Sequence, residues 1–218
     1  MPVSTSAVDV SRETAEAVFG PSLPTAEAYA ELLRSDGVLR GLIGPRETDR
    51  LWSRHLINSA AWAGILPVGA KVADIGSGAG LPGIPLALVR PDLTVVLVEP
   101  LLRRVAFLRD AVAHLGIPNV DVVRSRAEDL PRGWVADVVT ARAVAPLPTL
   151  VGWAMPLVAP GGELIAMKGT RAGDELTAAA PSLRRLGAQS WSVLEVPGGE
   201  LDDPIRLVRI RKKRSARR

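Results

Sequence analysis

One stretch concentrates residue types that can do chemistry together. Residues 71–85 read KVADIGSGAGLPGIP, in which Asp74 stands ahead of Gly76, and Gly78 and Gly80 alternate behind it. Alternating glycines allow a positive φ and leave no Cβ between the backbone and whatever lies on it. Such a loop suits a large, flat ligand. The same residues bear on the ligand's charge. A dinucleotide fingerprint, G-x-G-x-x-G, would place its third glycine where this chain has Leu81. A diphosphate also needs free N–H groups in the first helical turn, and Pro82 and Pro85 have none. Asp74 favours a cation over an anion. The competing reading is a structural strand-to-helix turn that holds no ligand.

The loop matches D-x-G-x-G-x-G, the pattern of the S-adenosylmethionine-dependent methyltransferases, whose ligand carries an amino group and a sulfonium but no phosphate. Spacing adds a second candidate. Thr94–Val98 ends in Glu99, 23 residues after Gly76, close to the offset of about 20 at which a carboxylate ending the second strand accepts ribose hydroxyls. After the third strand, residues 125–129 (SRAED) border the place of an adenine. The fourth strand leads into Arg142, at the carboxyl edge where ligands bind in open α/β sheets. An arginine there could act on a ligand or serve as a structural ion-pair partner.

A doubly wound α/β sheet must position these residues. Val72–Ile75 gives the first strand, a helix starts near Pro82 and continues through Ile84–Val89, and Thr94–Val98 is the second strand. Leu101, Val105, Leu108, Val112 and Leu115 repeat at helical spacing and are expected in the core, with Gly116 and Pro118 ending the helix. His114 in its last turn suits the negative end of the dipole. Val120–Val123, Asp137–Thr140 and Glu163–Met167 read as further strands, with a helix over Leu147–Val158 and a Pro160-Gly161-Gly162 turn before the fifth. Lys168 and Gly169 follow that strand, and Trp191–Val196 with Ile205–Ile210 form a closing antiparallel hairpin.

The expected fold is therefore α/β and Rossmann-like: a class I methyltransferase with a seven-stranded, mostly parallel sheet, a C-terminal antiparallel hairpin and an N-terminal helical cap. Residues 1–205 form a single domain, the cap spanning 1–44 and the cofactor-binding core 45–205, with the last strand reaching about 211 and a basic tail at 212–218. Within the cap, Ser11–Phe19 and Thr25–Arg34 read as helices, Gly37 closing the second. Pro45 then opens a longer helix in which Trp52, Leu56, Ala60 and Ala63 make an apolar stripe. Arg46, Arg50, Arg54 and Asn58 fall four apart on another face, suited to phosphate or to plain solvation. His55 lies between the faces, where a partly buried, hydrogen-bonded ring is the ordinary reading.

Composition bounds the rest. The 218 residues contain no cysteine and two histidines, which excludes disulfides and thiolate metal sites and gives no reason to expect a metal. With 47% hydrophobic content the chain can bury a full core. It shows no basic-then-apolar signal pattern and no apolar stretch of spanning length, so a cytoplasmic monomer without a membrane partner is expected. Of 27 Lys and Arg residues, eight fall between Arg206 and Arg218 with no acid among them, which leaves 19 against 23 acids before that point. The basicity reads as a tail, either adding salt-sensitive phosphate affinity or remaining a solvated end.

Absences narrow the methyl acceptor. Methylating a pyrimidine C5 commonly needs a cysteine nucleophile. Exocyclic amino groups are typically methylated beside an Asn/Asp/Ser-Pro-Pro-aromatic turn, where this chain has Ala141-Arg142-Ala143-Val144. A ring nitrogen such as guanine N7 presents an in-plane lone pair and needs no general base, only alignment and electrostatic control.

The segments DIGSGAGLPGIPLALVRPD, RRVAFLRDAVAHLG, SRAED, ARAVAPLPTL and MKG, with WSRHLINSA ahead of them, resemble the bacterial 16S rRNA guanine-N7 methyltransferases, the RsmG or GidB family. The likeness runs from about Leu51 to Gly169, and LPGIPLA is its most specific part. It implies methyl transfer from S-adenosylmethionine to N7 of a guanine, with 16S rRNA or the 30S subunit as partner. By matching position it implies cofactor contacts at Gly76, Leu81, Ala127, Glu128 and Arg142, with Glu99 on the ribose. Arg54, His55 and Lys168 occupy motif positions assigned to RNA or catalysis; Arg142 joins the catalytic candidates and Arg50 the RNA contacts. The family's W-N-x-x-x-N-L-T segment is replaced here by SDGVLRGLIGPRET. The alternatives are a methyltransferase acting on a small molecule or protein, and a non-catalytic RNA-binding assembly factor.

Overall fold

The structure, a computed structural model, describes residues 9–199 and 203–214. The start of the expected cap, the centre of the last hairpin loop and the end of the expected basic tail lie outside the described residues. Seven strands form one sheet: β1 (Lys71–Ile75), β2 (Thr94–Val98), β3 (Val120–Val123), β4 (Ala136–Arg142), β5 (Val158–Lys168), β6 (Ala188–Val196) and β7 (Ile205–Lys212). Their order is β3-β2-β1-β4-β5-β7-β6. The first five run parallel, and β7 is antiparallel to both β5 and β6. The strand order reverses between β1 and β4, and a ligand belongs outside the carboxyl ends there.

Parallel strands covered on both faces read as continuous apolar runs. Val72, Val95, Leu97, Val138 and Ile165 point into one core, whereas Ala73, Val96, Val98, Val139 and Leu164 point into the other. The first core is closed by α1 (Arg12–Phe19), α2 (Leu23–Leu32), α4 (Gly83–Val89) and α5 (Leu102–Leu115); the second by α6 (Leu147–Ala154) and α7 (Ala172–Arg185). Ser11 caps α1 by accepting from the Thr14 N–H at 3.1 Å. Gly116 ends α5 in the left-handed conformation, φ 61°. Residues 83–88 of α4 are all buried, because α1 and α2 lie across its outer side.

Several expectations need correction. Gly37 does not stop the cap's second helix: the chain passes through it in a π turn, Leu33–Gly37, and the Gly37 carbonyl accepts from Leu42 N–H at 2.7 Å. The segment after Pro45 is no regular α-helix. It runs as a 3-10 helix, Pro45–Arg50, then a π-helix, Leu51–Ile57, before the single turn α3 (Asn58–Ala60). Changing pitch removes the even row of Arg46, Arg50, Arg54 and Asn58. Leu101, expected in the core, is 45% exposed at the N-cap of α5. The helix from Leu147 ends at Ala154, and Pro160-Gly161-Gly162 lies inside β5 at a register shift against β4. A Cβ on Gly162 would meet the Asp137 carbonyl, so only glycine fits that approach. Helix α7 was not foreseen.

Within the basic C-terminal run, Arg206, Arg209, Arg211 and Lys212 lie in β7, which extends one residue past its expected end near 211. Arg209 and Arg211 of β7 share the Glu163 carboxylate, Arg209 through Nε at 2.6 Å and Nη2 at 2.8 Å, Arg211 through Nε at 2.6 Å. Lys212 donates to the Met155 and Val158 carbonyls at 2.8 and 2.7 Å. These charges are engaged by the sheet.

The closest packing lies under the glycine loop. Gly83 has ordinary helical backbone, where alanine would normally help. A Cβ there would instead overlap Leu97 Cδ2 and come within 2.9 Å of Asp74 Oδ2. We expect Gly83→Ala to cost about 1–3 kcal/mol, read as a Tm lowered by about 2–4 °C per kcal/mol in a domain of this size. An unchanged or raised Tm would contradict this packing.

Candidate active site

The glycine loop leaves β1 and turns into α4 with Gly76, Gly78 and Gly80 at φ 68°, 59° and 98°. Most of its N–H groups are bonded inward. Gly76 donates to the Val98 carbonyl at 2.8 Å, Gly78 to Glu99 Oε2 at 3.0 Å, and Gly80 to the Ser77 carbonyl at 2.7 Å. Leu81 N–H also goes to Ser77 O, Gly83 N–H to Asp74 Oδ2 at 3.0 Å, and Ile84 N–H to Gly80 O. A diphosphate would find these donors already bonded. Tyr29, reaching in from α2, donates its phenol to the Ala79 carbonyl at 2.7 Å and fixes the loop from behind.

Asp74 lies fully buried beneath this turn. Its Oδ2 takes the Gly83 N–H, while Oδ1 has no hydrogen-bond partner among the described residues. Burial pushes the carboxyl up to about 7, against the opposing pull of the Gly83 N–H. A carboxyl group with an unpartnered oxygen, beneath a glycine turn most of whose amides are already bonded, fits a cationic nucleoside better than an anionic one. The residues present thus fit S-adenosylmethionine.

Glu99 ends β2 and is 1% exposed. Besides Gly78 N–H, it accepts the Leu101 N–H at 3.0 Å through Oε1, with Arg104 Nη1 at 3.6 Å. Two N–H bonds leave a carboxylate with acceptor capacity for hydroxyls. Ala127 and Glu128 stand in a 3-10 turn after β3, Ala127 half-buried and Glu128 exposed. Both border the carboxyl side of the sheet.

Arg142, at the end of β4, turns toward the irregular helix. Nη2 meets His55 Nδ1 at 2.6 Å and donates to the Arg54 carbonyl at 3.2 Å; Nη1 donates to Ser59 Oγ at 3.2 Å and to the His55 carbonyl at 3.4 Å. Burial, then the nearby Arg54 charge, lowers the Arg142 guanidinium to about 10. His55 is 8% exposed, and its Nε2 faces Glu47 Oε2 at 3.0 Å. Burial and then Arg142 push the imidazole down to about 4, with Glu47 opposing. Both ring nitrogens are occupied, so His55 presents no lone pair for proton transfer. Arg54 is exposed beside Glu47 at 3.5 Å, and Arg50 is exposed at the junction of the 3-10 and π segments.

After Arg142 the chain takes a left-handed step at Ala143, φ 54°, which lays Val144 against Gly76. A Cβ on Gly76 would come within 2.8 Å of Val144 Cγ2. Lys168 holds this loop: Nζ donates to the Ala145 carbonyl at 2.6 Å and pairs with Glu175 Oε2 at 2.9 Å. The same Glu175 oxygen accepts the Leu147 N–H at 2.7 Å. Burial raises the Glu175 carboxyl, but Lys168 and the Leu147 N–H outweigh it and hold it below its usual value. A cavity of about 1010 Å³ opens beyond this clasp, with Arg54, Asn58, Arg142, Lys168, Arg171 and Arg206 in its wall. Asn58 does not point freely into it, since Oδ1 accepts the Gly199 N–H at 2.8 Å.

The sequence reading missed Glu47, Ser59, Tyr29 and Glu175. Tyr29 lies in the expected helix Thr25–Arg34, which gives no sign of its phenol's target; the others meet their partners only through the fold. Among the described residues, no group of metal-ligating side chains is assembled and no helix is long and apolar enough to cross a membrane.

A family model described as GidB, rRNA small subunit methyltransferase G, matches residues 22–201. A protein of Thermobifida fusca named ribosomal RNA small subunit methyltransferase G is 53% identical over 201 residues, 92% of this chain and 85% of its own. One of the same name from a Nocardioides species is 56% identical over 195 residues, 86% of this chain and 78% of its own. Among solved structures, a SAM-dependent O-methyltransferase from Thermotoga maritima is similar in fold, with TM-score 0.57, 15% identity, and coverage of 79% of this chain and 71% of its own. So is M. jannaschii TYW2 in complex with AdoMet, with TM-score 0.55, 18% identity, and coverage of 75% and 78%.

The state of Asp74 has a measurable consequence. Its folded value of about 7 lies above that of an unfolded aspartate, about 3.9. Between those values the unfolded chain releases a proton that the folded chain keeps. Asp74's contribution to stability is therefore full below pH ~4 and is lost as pH rises through about 7. We expect the stability of Asp74→Asn relative to the parent to increase from pH 4 to pH 8 in the absence of cofactor, measured by urea unfolding at each pH. A difference independent of pH would contradict the buried, orphaned carboxyl.

Proposed function

The chain belongs to the GidB family, rRNA small subunit methyltransferase G, and from that premise we propose that it methylates N7 of a guanine in 16S rRNA, presented free or within the 30S subunit in the cytoplasm. When bound, S-adenosylmethionine supplies an electrophilic methyl group on a sulfonium. The chain's own residues bind and orient. We assign the cradle to Gly76, Gly78, Gly80 and Leu81 above Asp74, the ribose to Glu99, the adenine edge to Ala127 and Glu128, and the boundary between cofactor and acceptor to Arg142. The acceptor base is assigned to the cavity at the carboxyl ends of β4 and β5, with Arg54 and Arg50 on its RNA approach.

One observation carries the choice of acceptor atom. The His55 and Lys168 side chains near that edge are already bonded, His55 through both nitrogens and Lys168 to Ala145 O and Glu175. An acceptor that had to lose a proton would be poorly served, whereas a ring nitrogen with an in-plane lone pair needs alignment alone. Lys168 acts on this reading by holding the loop that carries Val144.

The test is transfer of labelled methyl from S-adenosylmethionine to 16S rRNA and to 30S subunits from cells lacking this gene, followed by nucleoside analysis. Label in 7-methylguanosine is the expected result. Label in another nucleoside, or none despite cofactor binding, would overturn the assignment. Glu99→Gln should weaken cofactor binding about tenfold or more, the loss expected when a charged acceptor is neutralised, and leave rRNA binding unchanged; undiminished cofactor affinity would remove Glu99 from the ribose.

A further inference from the structure

Arg142 places a guanidinium where the cofactor loop, β4 and the acceptor cavity meet, and all four of its hydrogen bonds go to residues 54–59. None of those acceptors is a carboxylate. Its direction therefore depends on carbonyl oxygens, one hydroxyl and one imidazole nitrogen. The carbonyls of Arg54 and His55 are delivered by the π-helix, and the imidazole contact is the shortest of the four. A nitrogen 2.6 Å from a guanidinium N–H can only be an acceptor. The His55 proton must then sit on Nε2, which faces Glu47 Oε2 at 3.0 Å. A proton on Nδ1 would set donor against donor.

We propose that Glu47 is a positioning residue for methyl transfer: by accepting from His55 Nε2–H it holds the ring in the orientation whose Nδ1 fixes the Arg142 guanidinium at the carboxyl end of β4. The inference rests on the reading of the chain as an rRNA methyltransferase. Glu47 has a second neighbour, Arg54, whose Nε lies 3.5 Å from the same Oε2. The two routes differ in burial. The side chain of His55 is 10% exposed, whereas those of Arg54 and Glu47 are 48% and 38% exposed. An effect passed through Arg54 would change the hold on RNA. One passed through His55 would change the placement of Arg142, and hence turnover once both substrates are bound, because displacing a positioned group by about 1 Å can cost about a hundredfold in rate.

The experiment compares Glu47→Ala, Glu47→Gln and His55→Asn in steady-state methylation of 30S subunits. Glu47→Ala is expected to lower kcat about tenfold or more while KM for the subunit stays within about twofold. Glu47→Gln keeps an oxygen for the Nε2–H and should recover most of that loss, separating positioning from folding. In the His55→Asn background, Glu47→Ala should add little, as for residues in one chain of contacts. A kcat within about twofold of the parent, a loss confined to KM, or a Gln variant no better than Ala would overturn the proposal. Nitrogen-15 shifts of the single imidazole in His114→Gln protein should show a neutral Nε2–H ring at pH 6. A proton on Nδ1, or a charged ring, would overturn it independently of substrate. If the parent protein itself transfers no methyl to 30S subunits, the function fails while the imidazole spectrum still decides the contact chain.

Discussion

The architecture depends on how closely α4 approaches β1. Asp74 Oδ2 receives the Gly83 N–H, and the absence of a side chain on Gly83 lets the helix start rest on Leu97 and Asp74. This contact draws the glycine loop tight enough that its amides bond to Val98, Ser77, Gly80 and Glu99 instead of facing outward. The electrostatic outcome is the reverse of a phosphate-binding loop. What remains is a buried carboxyl below, whose negative potential suits a cation, and the Glu99 carboxylate at the side, whose remaining acceptor capacity suits ribose hydroxyls.

The N-terminal third of the chain is part of this site. Its helices bury α4, Tyr29 supports the glycine loop from behind, and the irregular segment Pro45–Ile57 supplies the groups that hold Arg142. On the other side the Lys168–Glu175 clasp fixes the loop after β4, so that Val144 lies on Gly76. Two polar networks therefore grip the end of β4 from opposite directions. The rigidity of this edge comes from those grips as well as from the sheet.

The parallel core was legible because buried strands appear as unbroken apolar runs such as TVVLV between glycine turns, and the same pattern put Glu99 at the end of the second strand. The segment after Pro45 was legible in content and not in form: Trp52 and Leu56 are core, but 3-10 and π pitches have no 3.6-residue period to read. Helix α7 escaped because only Leu176 and Leu183 of its buried stripe are large apolar residues, the other two being alanine, and because Pro181 lies within it. The basic C-terminal cluster misled for another reason. Counting charges ignores partners, and Glu163, 46 residues before Arg209, turns part of that cluster into sheet structure. His55 and Lys168 were found as positions, but whether they are open or bonded is a property of the fold alone.

Calorimetric titration of the protein with S-adenosylmethionine and with NADH under the same conditions tests most directly whether the loop accepts a cationic nucleoside and refuses a diphosphate. Saturable binding of S-adenosylmethionine with no detectable heat from NADH is the predicted result. NADH binding as tightly as S-adenosylmethionine would show that the loop's amides are free for a diphosphate, and would contradict the account.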